Sequence, residues 1–207
     1  MLLLSQDMNN TILQFRRNLL RARELGNLGT SINNIVTSGI DISDIWRAQI
    51  VLCVSALDYL IHELTRIGMI EIAKGNRPKT DSFLKFPLPI DAMERALNGQ
   101  AHEFWLGDTI REKHSWLSFQ HPDKIADAIR LISSKKLWEE VGTSLNMKAK
   151  DIKLRVEIIV DRRNKIAHEA DMDPTNPGFQ WPIDSLMASK TIDEIERVGE
   201  AIFSVVV

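Results

Sequence analysis

The sequence predicts an all-α protein, and three observations lead to that class. Sustained alternation of apolar and polar residues between turn pairs, the pattern of strands, does not occur along the chain. Several long windows instead place apolar residues at helical spacing. The chain has 207 residues, 44% of them hydrophobic and 26% charged, which is enough to bury the core of one domain. We therefore expect a single-domain helical bundle over residues 1–207.

The first helix is predicted over about residues 6 to 25, because apolar side chains recur there and two glycines, Gly26 and Gly29, follow. Its apolar side carries Met8, Ile12, Phe15, Leu19 and Leu20. Its outer face carries the arginines Arg16, Arg17, Arg21 and Arg23. Such a row is most often a solvated face, and phosphate binding is the alternative.

The second helix is predicted to begin at Asp41 or Ser43, either of which suits a helix cap, and to run to about Ala73. Its middle, IVLCVSALDYLI, is apolar almost all round, which indicates a helix at the centre of the bundle. Cys53 lies in this stretch, so we expect a buried thiol with a raised pKa rather than a reactive one.

Shorter pieces follow. Residues 74–90 hold three prolines and a glycine and are predicted to be a loop excursion, followed by a short helix from Asp91 to Leu97. Residues 100–145 are predicted to form a variable region of short helices, one of which opens at Pro122. A longer helix is expected from about Lys148 to Glu169. After a second loop rich in proline and glycine, Thr191 with Glu194 indicates the start of a final helix.

The charge balance excludes a protein with a general attraction to polyanions. The net charge is −2, from 26 basic and 28 acidic side chains, so any nucleic acid must be held by a local patch. The histidines show no spacing typical of metal ligands, and no glycine-rich phosphate loop occurs. The apolar start MLLL is too short for a signal peptide or a membrane span. We expect a cytoplasmic protein without a metal or other cofactor.

An arginine interrupts the apolar stripe of the helix over residues 148–170. At about 100° per residue, the stripe contains Ile152, Val156, Ile159, Ile166 and Ala170. Arg163 falls inside it. A buried charge without a partner costs several kcal/mol, so Arg163 must be paired, line a polar cleft or lie at an interface. Glu63, on the apolar side of the second helix, is a possible internal partner.

His168 is the second chemical feature of this helix, because imidazole exchanges a proton near neutral pH. Positions five apart on a helix point about 140° away from each other and are about 7.5 Å apart along the axis. Arg163 and His168 therefore cannot easily reach one phosphate from a straight helix. Either the helix distorts near Ala167, or two copies face each other across a two-fold axis. Asn164, four residues before His168, shares its face.

These residues carry a resemblance. The segment RNKIAH, residues 163–168, matches the R-N-x-x-x-H form of the R-x4–6-H motif of the HEPN superfamily. The segment WRAQIVLCVSALDYLIHEL, residues 46–64, resembles the long second helix of the RiboL-PSP-HEPN subgroup. The resemblance covers the helical core and leaves out the loop after Lys74 and residues 100–145. It implies an up-and-down core with shorter helices inserted.

The resemblance also implies a function, because many HEPN domains are metal-independent endoribonucleases in which a ribose 2′-hydroxyl attacks the adjacent phosphodiester. His168 would be the general acid or base, Arg163 would stabilise charge on the phosphoryl oxygens, and Asn164 would orient one of them. An acidic residue of the second helix often completes such sites, Asp58 by its position in the motif or Glu63 by the stripe argument, with Asp58 favoured.

The implied partners are RNA, a second copy that forms a composite active site, and an antitoxin or another regulatory protein, as in toxins and defence effectors. RNA processing is another use of the same activity. The alternative is a HEPN-like module that only binds and dimerises, in which Arg163 is a structural ion pair.

Overall fold

Nine helices make up the regular structure of the described chain, which in this computed structural model comprises residues 6–35 and 40–207. They are α1 (Gln6–Asn33), α2 (Ser43–Ala73), α3 (Asp81–Leu84), α4 (Ile90–Leu97), α5 (His102–His114), α6 (Pro122–Arg130), α7 (Leu137–Leu145), α8 (Ala149–His168) and α9 (Ser185–Val206). No strand forms within these residues, where Met172 and Gln180 make one isolated bridge. The all-α class is confirmed. The apolar start MLLL lies outside the described residues.

The centre of the bundle is α2, as its continuous apolar run predicts. Leu57, Leu60, Ile61 and Leu64 are fully buried. The long helices α1, α8 and α9 pack around α2 together with α5, and the short helices α3 to α7 are inserted between α2 and α8. Cys53 is buried and free, and burial raises the pKa of its thiol to about 12. The chain is thus one all-α domain.

The first helix does not end at its glycines, so the predicted boundary near residue 25 is wrong. Both glycines lie inside α1, at a close contact with α2. A Cβ atom on Gly26 would lie 2.2 Å from Nε2 of Gln49, and one on Gly29 would lie 2.8 Å from Cγ2 of Ile45. The two glycines are needed for helix contact rather than for a helix stop.

Two of the four arginines on α1 bind acidic residues of α9. Arg16 donates to both carboxylate oxygens of Glu200 at 2.6 and 2.8 Å. Arg23 donates to Asp193 at 2.7 Å and to Glu196 at 2.5 Å. This part of the arginine row therefore joins two helices. Leu20, which was expected on the apolar side, is 54% exposed.

Several helix ends follow local chemistry. The start of α2 at Ser43 is close to the prediction, but neither Asp41 nor Ser43 is its cap. The cap position is Ile42, which makes no side-chain bond, and Asp41 accepts a hydrogen bond from the Ser43 amide at 2.8 Å. The final helix begins earlier than predicted, because Asp184 caps it by accepting from the Met187 amide at 2.7 Å. Thr191 lies inside α9 and donates to the Met187 carbonyl, so it is not a cap.

The predicted excursion over residues 74–90 contains one short helix, α3, which the sequence reading missed. Thr80 caps it by accepting from the Phe83 amide at 3.0 Å. The helices expected at Asp91 and Pro122 are confirmed as α4 and α6. No helix in the part of the chain that the structure describes is both long and apolar enough to span a membrane.

Candidate functional site

Arg163 lies in the last turns of α8, the helix that buries Ile152, Val156 and Val160 against the core. Its side chain is half-buried, and Nη1 donates to Oδ1 of Asn164 at 3.0 Å. Its Nε is buried and has no acceptor among the described residues. No carboxylate within residues 6–35 and 40–207 forms an ion pair with Arg163.

The predicted pair between Arg163 and Glu63 does not form. Glu63 instead accepts from Arg66, one turn along α2, with the shortest contact at 2.6 Å. The i,i+3 spacing on one helix gives Glu63 a local partner, which sequence reasoning across two helices did not weigh.

The buried ion pair of this region belongs to the neighbouring arginine, Arg162. Its Nη2 and the Nε of Arg47 each lie 2.8 Å from Oδ2 of Asp171. Asp171 is 0% exposed, and the side chains of Arg47 and Arg162 are 6% and 21% exposed. Burial lowers the pKa of the Arg162 guanidinium, while the Asp171 carboxylate acts in the opposite direction. The fold therefore supplies a structural arginine directly before Arg163.

The ion pairs of Asp171 belong to a network that holds the loop after α8 against α2 and α8. Arg47 donates to the Trp181 carbonyl at 2.9 Å, and Arg162 donates to the carbonyls of Trp181 and Pro182 at 3.2 Å. The Trp181 amide donates to the Asp171 carbonyl at 2.8 Å. The loop that directly follows the motif is thus held by two guanidinium groups.

Sequence reasoning singled out neither Arg47 nor Asp171. These two residues are 124 positions apart, so no local spacing connects them. One backbone feature marks the place, because Ala170 and Asp171 both have left-handed conformations, with φ of 50° and 57°. Such a conformation is uncommon outside glycine and ends α8 abruptly after His168.

His168 is the last residue of α8 and is exposed. The helix stays regular through Ala167, so the distortion considered there does not occur. On such a helix, Arg163 and His168 point about 140° apart, with about 7.5 Å between them along the axis. Asn164, however, lies one turn before His168 on the same side. By binding Asn164, the Arg163 guanidinium is drawn toward the face that carries His168.

Neither candidate acid of α2, Asp58 or Glu63, lies beside the motif of residues 163–168. Asp58 lies eleven residues beyond Arg47, which corresponds to about 16 Å along α2. Its carboxylate accepts from the Phe119 amide at 2.6 Å and from Gln120 at 3.3 Å. Asp58 and Glu63 line a separate cavity of about 290 Å³. Within one chain, therefore, both acids lie away from the R-N-x-x-x-H motif.

Metal ligation has no candidate in the described residues. Their histidine, cysteine and acidic side chains form no group of three placed to hold an ion. The motif itself offers guanidinium, amide and imidazole groups, with the exposed carboxylates of Asp161 and Glu169 beside it. The groups of the motif suit an anionic ligand, because guanidinium and a charged imidazole donate hydrogen bonds to phosphate oxygens.

One comparison with known proteins gives a match. A sequence model of the RiboL-PSP-HEPN family matches residues 16–207. This range contains all of α2 and α8, and it also contains residues 100–145, which the resemblance drawn from the motifs left out. No curated protein and no solved structure matches the chain significantly.

Proposed function

Because the chain belongs to the RiboL-PSP-HEPN family, we propose that it is a metal-independent endoribonuclease whose active site contains Arg163 and His168. The ribose 2′-oxygen attacks the adjacent phosphorus and the bond to the 5′-oxygen breaks. The products are a 2′,3′-cyclic phosphate and a 5′-hydroxyl. His168 takes the proton from the 2′-hydroxyl or gives one to the leaving 5′-oxygen, and Arg163 stabilises the charge that grows on the phosphoryl oxygens.

The observation that carries this proposal is the different pairing of two adjacent arginines. Arg162 shares a buried carboxylate with Arg47, whereas Arg163 binds, among the described residues, only a neutral amide oxygen. An arginine that served as a structural ion pair would have an acidic partner. Apart from the buried Nε, the remaining donors of Arg163 are therefore available to the oxygens of a phosphate.

Asn164 has a positioning role in this proposal. Since arginine only donates, the contact at 3.0 Å uses the amide oxygen of Asn164 and leaves its amide nitrogen for another acceptor. On the same face, one turn later, the ring of His168 has no hydrogen-bond partner among the described residues. The Asn164 amide can thus donate to the His168 ring or to the phosphate.

We propose further that the active site is completed by a second copy of the chain. In one chain, the regular helix directs Arg163 and His168 to different sides. Two large apolar residues on α8, Leu154 and Ile158, are one turn apart and are 55% and 59% exposed. They offer a contact surface next to the motif for a two-fold pair.

Mixing two inactive variants tests the composite site. Arg163→Ala and His168→Ala are purified separately, mixed, and allowed to exchange subunits. In a heterodimer, a site built from two chains has either both substitutions or neither, so activity returns to a fraction of the wild-type rate. Sites contained within single chains would stay inactive after mixing, and that result would exclude the composite arrangement.

The activity itself is tested on single-stranded RNA and a transfer RNA pool in the presence of a chelator, with analysis of the product ends. Wild type is expected to leave cyclic phosphates. Arg163→Ala and His168→Ala are each expected to lower the rate by about 100-fold or more. Lys190→Gln, an exposed position on α9, serves as the control for folding and handling.

A folded Arg163→Ala variant that still cleaves RNA would contradict the assignment. Absence of cleavage by the folded wild-type dimer would favour the binding module. If the enzyme serves as a toxin or defence effector, expression of wild type arrests growth and expression of His168→Ala does not. Rescue by a co-expressed neighbouring protein would then identify the antitoxin.

A further inference from the structure

A lysine-rich groove lies at the far end of α8 from the motif. It is a cavity of about 710 Å³ between the loop before α3, the end of α6 and the starts of α7 and α8. Six basic side chains and two acidic ones line it, in a chain whose acidic residues outnumber the basic ones overall. The basic residues are Lys79, Arg130, Lys135, Lys136, Lys150 and Lys153. We call this cavity the lysine groove.

Four of the five lysines have no ion-pair partner among the described residues. Arg130 pairs with Asp127 and Lys153 pairs with Asp123, both on the neighbouring surface of α6. Lys135 donates to the carbonyl of residue 205 at 2.7 Å. For Lys79, Lys136 and Lys150, no carboxylate of the described residues lies within ion-pair distance. Their charges therefore remain uncompensated around one concave surface.

Two helix starts add to this positive potential. The N-caps of α7 and α8, Lys136 and Lys148, make no side-chain capping bond. The first residues of both helices, Leu137 and Ala149, line the groove. The amide ends of two helix dipoles thus lie at the same cavity as the free lysines and favour anions, and the first-turn acids Glu139, Glu140 and Asp151 offset part of this effect.

We propose that the lysine groove binds the phosphodiester backbone of an RNA strand away from the bond that is cleaved. The proposal rests on the proposed function in taking RNA as the polyanion. It supplies the local patch that a chain of net charge −2 requires. The arginine row on α1 is less suited to this role, because Arg16 and Arg23 are bound to acidic residues of α9.

The geometry of α8 relates the groove to the motif. Lys150 and His168 are eighteen residues apart, which is five helical turns, so they point to the same side at a separation of about 27 Å. Glu157 and Asp161 lie between them and repel phosphate, so the backbone contacts are expected at the two ends only. At about 3.4 Å per stacked nucleotide, roughly eight nucleotides span the distance.

Salt-dependent binding tests this proposal without any need for cleavage. The affinity for a labelled single-stranded RNA of about twenty nucleotides is measured for His168→Ala and for the same chain with Lys136→Gln and Lys150→Gln. The loss of two phosphate contacts should make the negative slope of log affinity against log salt shallower by about 1.4. It should also weaken binding about 10-fold at low salt. The control variant carries Lys85→Gln and Lys190→Gln, which are exposed and outside the groove.

The outcomes separate RNA binding at the lysine groove from the proposed nuclease activity. A smaller slope in the groove variant alone supports the groove, even if wild type proves inactive, in which case only the nuclease proposal fails. An unchanged slope, or an equal loss in the control variant, overturns the groove while leaving any observed cleavage intact. Binding of a mononucleotide as tight as that of the long RNA, lost in the groove variant, would also overturn it in favour of a small phosphorylated ligand.

Discussion

Replacement of Asp171 by asparagine should destabilise the protein strongly while changing its shape very little. The substitution removes the carboxylate that bridges two guanidinium groups, each 2.8 Å from the same oxygen, and leaves Arg47 with only the exposed Asp44 at 3.3 Å. Breaking a buried ion pair by removing one partner costs about 3 to 5 kcal/mol, because the other charge stays buried. Arg47 is the main source of this cost, since its side chain is only 6% exposed.

The measurement is thermal unfolding followed by circular dichroism. For a chain of about this length, each kcal/mol lowers the midpoint by about 2 to 4 °C, so Asp171→Asn should lower it by about 6 to 20 °C. Asp161→Asn removes the same charge from an exposed position of α8 and should change the midpoint by no more than about 2 °C.

The reasoning also predicts the behaviour of the two adjacent arginines. Arg162→Ala should share much of the loss of stability, whereas Arg163→Ala should unfold close to the wild-type temperature, because only Arg162 meets Asp171. An Asp171→Asn midpoint within about 2 °C of wild type would refute the buried network as the element that fixes the loop after α8.

Three further predictions concern the core. Gly199→Ala should lower the free energy of unfolding in urea by about 1 to 3 kcal/mol, because the new Cβ atom would lie 2.4 Å from Cζ of Phe15. Gly107→Ala should be close to neutral, because its Cβ atom would lie 3.4 Å from its nearest neighbour, and equal effects of the two substitutions would contradict this reasoning. Burial lowers the pKa of His114 to about 4, so the unfolded chain binds a proton at this histidine at a higher pH than the folded chain does. The free energy of unfolding should therefore fall by roughly 1.4 kcal/mol per pH unit as the pH drops from about 6.5 toward 4. His114→Gln should flatten this pH dependence. Cys53 should resist thiol reagents in the native protein at pH 8 and react on unfolding, since burial raises its pKa to about 12; rapid native labelling would contradict the burial.

The sequence predicted the elements whose signals are local. The apolar run of α2, its start near Ser43 and the boundaries of α8 depend on neighbouring residues, and all are found in the structure within a residue or two. The R-N-x-x-x-H motif is local in the same sense. The family to which it pointed is the one whose model matches residues 16–207.

The failures involve contacts between distant parts of the chain. Gly26 and Gly29 look like a helix stop in sequence, and only the close approach of α2 explains why they lie within a helix. The partner of Arg47 lies 124 residues away, in a loop whose sequence shows no periodicity. The acid expected beside Arg163 could not be identified from the stripe alone, because Glu63 has a nearer partner in Arg66.

The Asp171 network has a consequence for how the motif responds to its surroundings. It joins the end of α8 to the first turns of α2, so local fraying at His168 would require the opening of contacts made by the buried Asp171. Amide hydrogen exchange at the end of α8 should therefore be nearly as slow as in α2. A protein that silences such a site has to cover His168, since it cannot readily melt the helix that carries it.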